Sequence, residues 1–108
     1  MATRGEAIGF ELLEVTGSVT TLQDLGDFEQ ATALKVIMNK QGTTGDNVVA
    51  FNFVDGAPDP DANNGVQFTD GGGYMELIGK SNIENFKAIT LDASTYYLQI
   101  FYCNSPWS

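Results

Sequence analysis

The chain has 108 residues, 43% of them apolar, and a formal charge of −9 from 14 Asp and Glu against 5 Lys and Arg. That length makes one domain, which buries roughly 65% of the surface its unfolded form exposes and needs no metal or disulfide to fold; a single cysteine excludes an internal disulfide in any case. A surface this acidic repels phosphate backbones and anionic lipids, which argues against nucleic-acid and membrane-surface partners, and no apolar run is long enough to span a bilayer.

The chain opens on MATRGEAIGFELLEV, which has neither an apolar h-region nor a cleavage site and is not expected to be a secretory signal. Residues 1–8 are small or polar and read as a loose arm, with the domain proper over 9–108. Residues 9–15 (GFELLEV) are expected to form a strand, and 18–22 (SVTTL) are rich in β-branched residues. Between 22 and 32, Leu22, Leu25 and Phe28 fall at a spacing of three but Gly26 interrupts them. This stretch reads as an irregular connection with at most one helical turn.

From Ala33 onward the period is two. Leu34, Val36 and Met38 alternate with Lys35, Ile37 and Asn39, and a polar loop with two glycines follows. Val49, Phe51 and Phe53 then share a face. The loop 55–64 (DGAPDPDANN) carries two prolines, a strand covers 66–68, and DGGG turns into a strand over 74–78. A linking segment 80–85, a strand over 86–91 and a final strand over 95–104 complete the chain. About eight short strands predict an all-β fold, a single antiparallel β-sandwich or barrel with an N-terminal arm. The last strand, TYYLQIFYCN, sets Tyr96, Leu98, Ile100 and Tyr102 on one side and Tyr97, Gln99, Phe101 and Cys103 on the other. Both sides are largely apolar, as in a central strand or one covered by another subunit.

Little in the sequence resembles a catalytic apparatus. There is no histidine, Cys103 lies in an apolar strand without a neighbouring base, and DGGG opens onto a strand rather than the helix N-terminus that binds phosphate. Paired carboxylates, as in glycoside hydrolysis, are the remaining enzymatic possibility. One loop has the makings of a calcium site, with oxygen ligands at Asp59, Asp61 and Asn63 and Asp70 at the twelfth place. Its glycine comes one residue late, Asp70 is shorter than the usual Glu, and no helices flank it. The alternative is that these side chains only cap turns. Tyr74, Tyr96, Tyr97, Phe101, Tyr102 and Trp107 suit either a sugar-stacking platform or core and interface, and their placement in strands favours the latter. Tyr96, Tyr97, Phe101, Tyr102 and Trp107 are therefore the interface candidates, together with Arg4 in the arm. No catalytic residue and no cofactor is expected.

The order of segments VIMNKQGTTGDNVVAFNF, PDPDANNGVQFTDGGGYMEL and NFKAITLDASTYYLQIFY resembles small β-sandwich structural proteins of tailed bacteriophage virions. The likeness covers about two thirds of the chain and lies in the order of elements rather than in any one motif. It implies a capsid decoration or cement protein, made in the host cytoplasm and placed on the capsid exterior. Its partner would be the major capsid protein, and its oligomeric state a homo-oligomer, most simply a trimer at a local three-fold position. The arm would then order against the shell. A receptor- or glycan-binding module of a tail or fibre is the alternative within the same class.

Overall fold

The computed structural model describes residues 7–104. They form eight strands: β1 (Ala7–Val15), β2 (Thr20–Thr21), β3 (Ala33–Met38), β4 (Asn47–Asn52), β5 (Val66–Thr69), β6 (Gly73–Ile78), β7 (Lys87–Thr90) and β8 (Tyr96–Cys103). A 3-10 turn covers Leu25–Phe28 and a short helix, α1, covers Lys80–Glu84. The first sheet has the order β1-β8-β3-β6 and the second β2-β7-β4-β5, each antiparallel throughout. The architecture is a two-sheet sandwich. The first strand starts two residues before the expected position, within what was read as the arm; the rest of the arm, with Arg4, lies outside the described residues, as do 105–108 with Trp107.

Period-two alternation supplies the core. Leu34, Val36 and Met38 of β3 and Leu98, Ile100 and Tyr102 of β8 face Val49 and Phe51 of β4 and Phe68 of β5 across the sandwich. Phe51 packs edge-on to Phe68 at 5.0 Å between ring centroids and lies 5.5 Å from Phe86. Phe86 and Ile83 of α1 belong to the same buried cluster. β8 is a central strand, which accounts for one of its apolar sides.

In β1 the inward set is Glu11, Leu13 and Val15. An acid thus enters the interior, and it is fully engaged there: Glu11 accepts hydrogen bonds from the backbone N–H of Gln23 (2.8 Å) and Asp24 (3.2 Å) and from the Tyr102 hydroxyl (2.5 Å). These bonds tie the irregular segment 22–28 to the edge of the first sheet. The Phe28 ring then lies 4.8 Å from that of Tyr102.

The outer faces of the two sheets are treated differently. On the second sheet, Gln67, Asn52 and Lys87 point outward and each bonds to the loop 53–65. Gln67 Nε2 donates to the carbonyls of Asp61 (3.2 Å) and Ala62 (3.0 Å), and Asn52 Nδ2 donates to the Asn64 side chain (2.7 Å) and the Pro58 carbonyl (3.0 Å). Lys87 Nζ reaches the Ala57 carbonyl (3.3 Å) and Asp59 Oδ1 (3.2 Å). The proline-rich loop therefore folds back over its own sheet. Ala50 is fully buried although it alternates outward, and Pro60 is fully buried too. Gly65 makes the close return possible: its φ is +97°, and an added Cβ would meet the Phe51 carbonyl oxygen at 2.8 Å.

Candidate functional site

Among the described residues no such loop lies over the first sheet, although Ala33 and Cys103, which alternate outward at one end of it, are fully buried. The pairing register builds its outer face in rows. Phe10 of β1 stands opposite Phe101 of β8, which stands opposite Lys35 of β3, itself opposite Glu76 of β6. The next row runs Leu12, Gln99, Ile37 and Tyr74, and beyond it Glu14 faces Tyr97. Of the seven large apolar side chains exposed among the described residues, five belong to this face: Phe10 (48%), Leu12 (56%), Tyr74 (56%), Ile78 (49%) and Tyr97 (48%). Concentration on one face, rather than exposure of any single residue, separates this surface from an ordinary one.

The face is ordered by its own contacts. The Phe10 and Phe101 rings meet at 5.0 Å and 56°. Lys35 Nζ sits 5.4 Å from the centroid of the Tyr74 ring. Gln99 Nε2 donates to Asn39 Oδ1 at 3.0 Å, and the Tyr97 hydroxyl lies 3.5 Å from Glu14 Oε2. Among the described residues, the acids in these rows are Glu14, beside Tyr97, and Glu76, directly opposite Lys35. The surface is charge-poor on a strongly acidic molecule, as interface cores are.

Two sequence-derived interface candidates, Tyr97 and Phe101, lie on this face. Tyr102 does not. It is fully buried, with its ring in the core and its hydroxyl on Glu11, so it is unavailable to a partner. The inward alternation of β8 that buries Leu98 and Ile100 buries Tyr102 with them. Tyr96 follows the same side, half-buried against the core, and its hydroxyl donates to Asp92 Oδ2 at 2.6 Å. Phe10, Leu12 and Ile78 were not singled out from sequence. The signal was present in the Leu12-Leu13 pair, since two adjacent apolar residues in a strand must point to opposite faces.

The four oxygen ligands considered for calcium do not converge. Asp59 pairs with Lys87, and Asp61 Oδ1 accepts the Asn63 backbone N–H at 2.7 Å in a side-chain turn. Asp70 lies beyond the far end of β5 and organises a different loop. It accepts bonds from Thr44 Oγ1 (2.5 Å), Thr44 N–H (3.0 Å) and Gly45 N–H (2.9 Å), while its carbonyl takes the N–H groups of Gln41 and Gly42. Among the described residues, no three acidic or cysteine side chains are grouped to hold a metal.

Three carboxylates share the lining of one cleft without forming such a group. Asp46, Asp70 and Asp92 line an open cleft of about 480 Å³ with Thr44, Ser94 and Tyr96. The hydrogen bond from Thr44 holds the Asp70 carboxyl below its ordinary range, and the one from Tyr96 does the same for Asp92. Tyr96 is in turn shifted upward by Asp92. A glycosidase needs one carboxyl shifted upward to serve as general acid. Both shifts here run downward, so this pair offers acceptors rather than a proton donor. Cys103 is buried, its Sγ 3.7 Å from the Phe101 carbonyl.

No helix among the described residues is long and apolar enough to cross a membrane. Comparison with known proteins found no match to a family model, a curated protein or a solved structure.

Proposed function

We propose that this chain is a non-enzymatic structural protein of a tailed-phage virion, a capsid decoration or cement protein that binds the major capsid protein. The observation that carries the reading is the contrast between the two outer faces. One is sealed by the chain's own loop, and on the other Phe10, Leu12, Tyr74, Ile78 and Tyr97 make a charge-poor, largely aromatic surface that is exposed among the described residues. The segment order that resembles virion sandwiches supports the same reading, as does an acidic remaining surface suited to the outside of a crowded particle.

The size of the face bears on how such an assembly forms. Four strands at about 4.8 Å and three to four rows along them give a projected area of roughly 400 Å². That is about half of what each partner contributes to a standard-size interface. One such face alone does not hold a lasting dimer, so an assembly needs further contacts. A ring of subunits, each also touching the shell, provides them, and a trimer at a local three-fold position is the simplest form. The test is co-sedimentation of the purified protein with expanded capsids of the phage that encodes it. Saturable binding that Tyr97→Ser and Leu12→Asn weaken supports the reading; no binding by a protein that stays monomeric overturns it.

A second reading, a glycan- or receptor-binding module of a tail or fibre, draws on the cleft of Asp46, Asp70, Asp92 and Tyr96, where fixed acceptors stand beside a tyrosine. Glycan-array binding abolished by Asp92→Asn, with no capsid binding, would favour it.

A further inference from the structure

The chain has eight asparagines, and only Asn64 is followed by a glycine. Asparagine is already among the thermolabile residues. Before glycine it is most open to attack by its own backbone, because the next residue has no side chain to shield the amide nitrogen.

The fold requires both members of this step. Gly65 has a φ of +97°, and an added Cβ would meet the Phe51 carbonyl oxygen at 2.8 Å, so no side chain fits there. The Asn64 amide is the joint that ties the loop 53–65 to β4. Its Nδ2 donates to the Asp59 carbonyl (3.1 Å), and its Oδ1 accepts from Asn52 Nδ2 (2.7 Å), which also holds the Pro58 carbonyl (3.0 Å). That arrangement uses the amide as donor on one side and acceptor on the other. Behind it Ala50 and Pro60 are fully buried. Along the backbone the joint is held lightly. The Asp61 and Asn64 N–H and carbonyl groups pair at 3.3 and 3.4 Å, and Asp61, Ala62 and Asn63 are exposed. Local opening that frees the amide therefore uncovers little apolar surface.

We propose that Asn64 is a site of spontaneous modification, at which deamidation unlatches the loop 53–65 from the second sheet. The Gly65 backbone nitrogen gives up its proton to hydroxide and attacks Asn64 Cγ. The new C–N bond closes a succinimide, the Cγ–Nδ2 bond breaks, and ammonia leaves with a proton taken from water. Water then adds to either imide carbonyl and reopens the ring as aspartate or isoaspartate at position 64; nothing is oxidised or reduced. Either product has only acceptors where the amide had a donor. It meets the Asp59 carbonyl oxygen to oxygen and adds a negative charge beside Asp61, its bridge partner. Isoaspartate also lengthens the backbone by a methylene immediately before the tight return at Gly65.

The test is to incubate the folded full-length chain in mildly alkaline buffer at about physiological temperature and to map deamidation by peptide mass spectrometry. Asn64 is expected to convert severalfold ahead of every other asparagine. Asn52→Ala, which frees Oδ1 of the amide and leaves the Asn64-Gly65 step intact, should speed the conversion severalfold. In Asn64→Asp, hydrogen exchange should rise severalfold in segment 53–65 and stay at the parent's level in β3 and β8. Another asparagine reacting first in the folded chain overturns the proposal. So does an Asn64 that stays intact while the urea-unfolded chain converts, or an Asn52→Ala rate equal to the parent's. Exchange in 53–65 that Asn64→Asp leaves unchanged overturns it as well, since the amide would then not be the latch.

Discussion

The Tyr102 hydroxyl donates a 2.5 Å hydrogen bond to Glu11 Oε1 in the interior, joining residues 91 positions apart. Removing the hydroxyl in Tyr102→Phe leaves a buried carboxylate short of one donor. A hydrogen bond to a charged group contributes about 1.5–3 kcal/mol, so a loss of that order is expected. In Glu11→Ala the segment 22–28 loses its anchor as well, and the effect should be at least as large. The double variant should cost less than the sum of the two, because the shared bond can be lost only once. Urea denaturation with an unchanged slope checks this.

The same contact sets an alkaline limit. Burial, and then the bond to Glu11, push the Tyr102 phenol well above its ordinary range. The folded chain therefore keeps a proton that the unfolded chain releases above about pH 10. The stabilisation is fully present below that pH and is lost as pH rises beyond it. Thermal melts should fall steeply from about pH 10 upward in the parent chain and less steeply in Tyr102→Phe.

Gly9 separates two glycine roles that look alike in sequence. A Cβ at Gly9 would overlap the ring of Phe28, whereas one at Gly26 meets nothing. Gly9→Ala is expected to cost about 1–3 kcal/mol as overpacking. Gly26→Ala should be neutral or slightly stabilising, since alanine restricts the unfolded chain more. Equal melting temperatures for the two variants would contradict this account.

Much of the fold was legible because its strands bury one face. Leu34, Val36 and Met38 announce both the strand and its orientation, and they occupy the core as their alternation requires. What escaped depends on partners far away in the chain. α1 is too short to show a 3.6-residue period, and its one buried residue, Ile83, is defined by the core cluster it joins. The oxygen-rich run from Asp59 to Asn64 suggests a metal until Lys87, Asn52 and Gln67 are seen to take its oxygens. Tyr102 and Tyr97 are both tyrosines of one strand, and only the position of the sheet decides that one is core and the other surface.

Asp70 should make the loop 41–46 acid-sensitive. The donors Thr44 and Gly45 hold its carboxyl below the ordinary range in the folded chain. Their stabilisation is therefore present above the unfolded value, near pH 4, and is lost as pH falls through the lower folded value. Asp70→Asn should lower the melting temperature at pH 7, with the gap to the parent narrowing below about pH 4. A gap that stays constant with pH would mean the carboxylate charge is not what the loop uses.

The exposed aromatic face makes the sharpest separation between stability and association. Leu12 is 56% exposed in the middle of an edge strand, beside Gln99 and within the row that ends at Tyr74. Leu12→Asn removes apolar surface where the folded monomer gains little from it, so stability should change by no more than about 0.5 kcal/mol. Any partner that desolvates this face loses a central contact, and truncations at such positions commonly cost 1–2 kcal/mol or more of binding. The expected result is a melting temperature close to the parent's with capsid binding weakened at least about fivefold, a ratio equivalent to about 1 kcal/mol. Binding that persists unchanged in Leu12→Asn and Tyr97→Ser together would place the contact on another surface, and the exposed aromatic face would then require a different explanation.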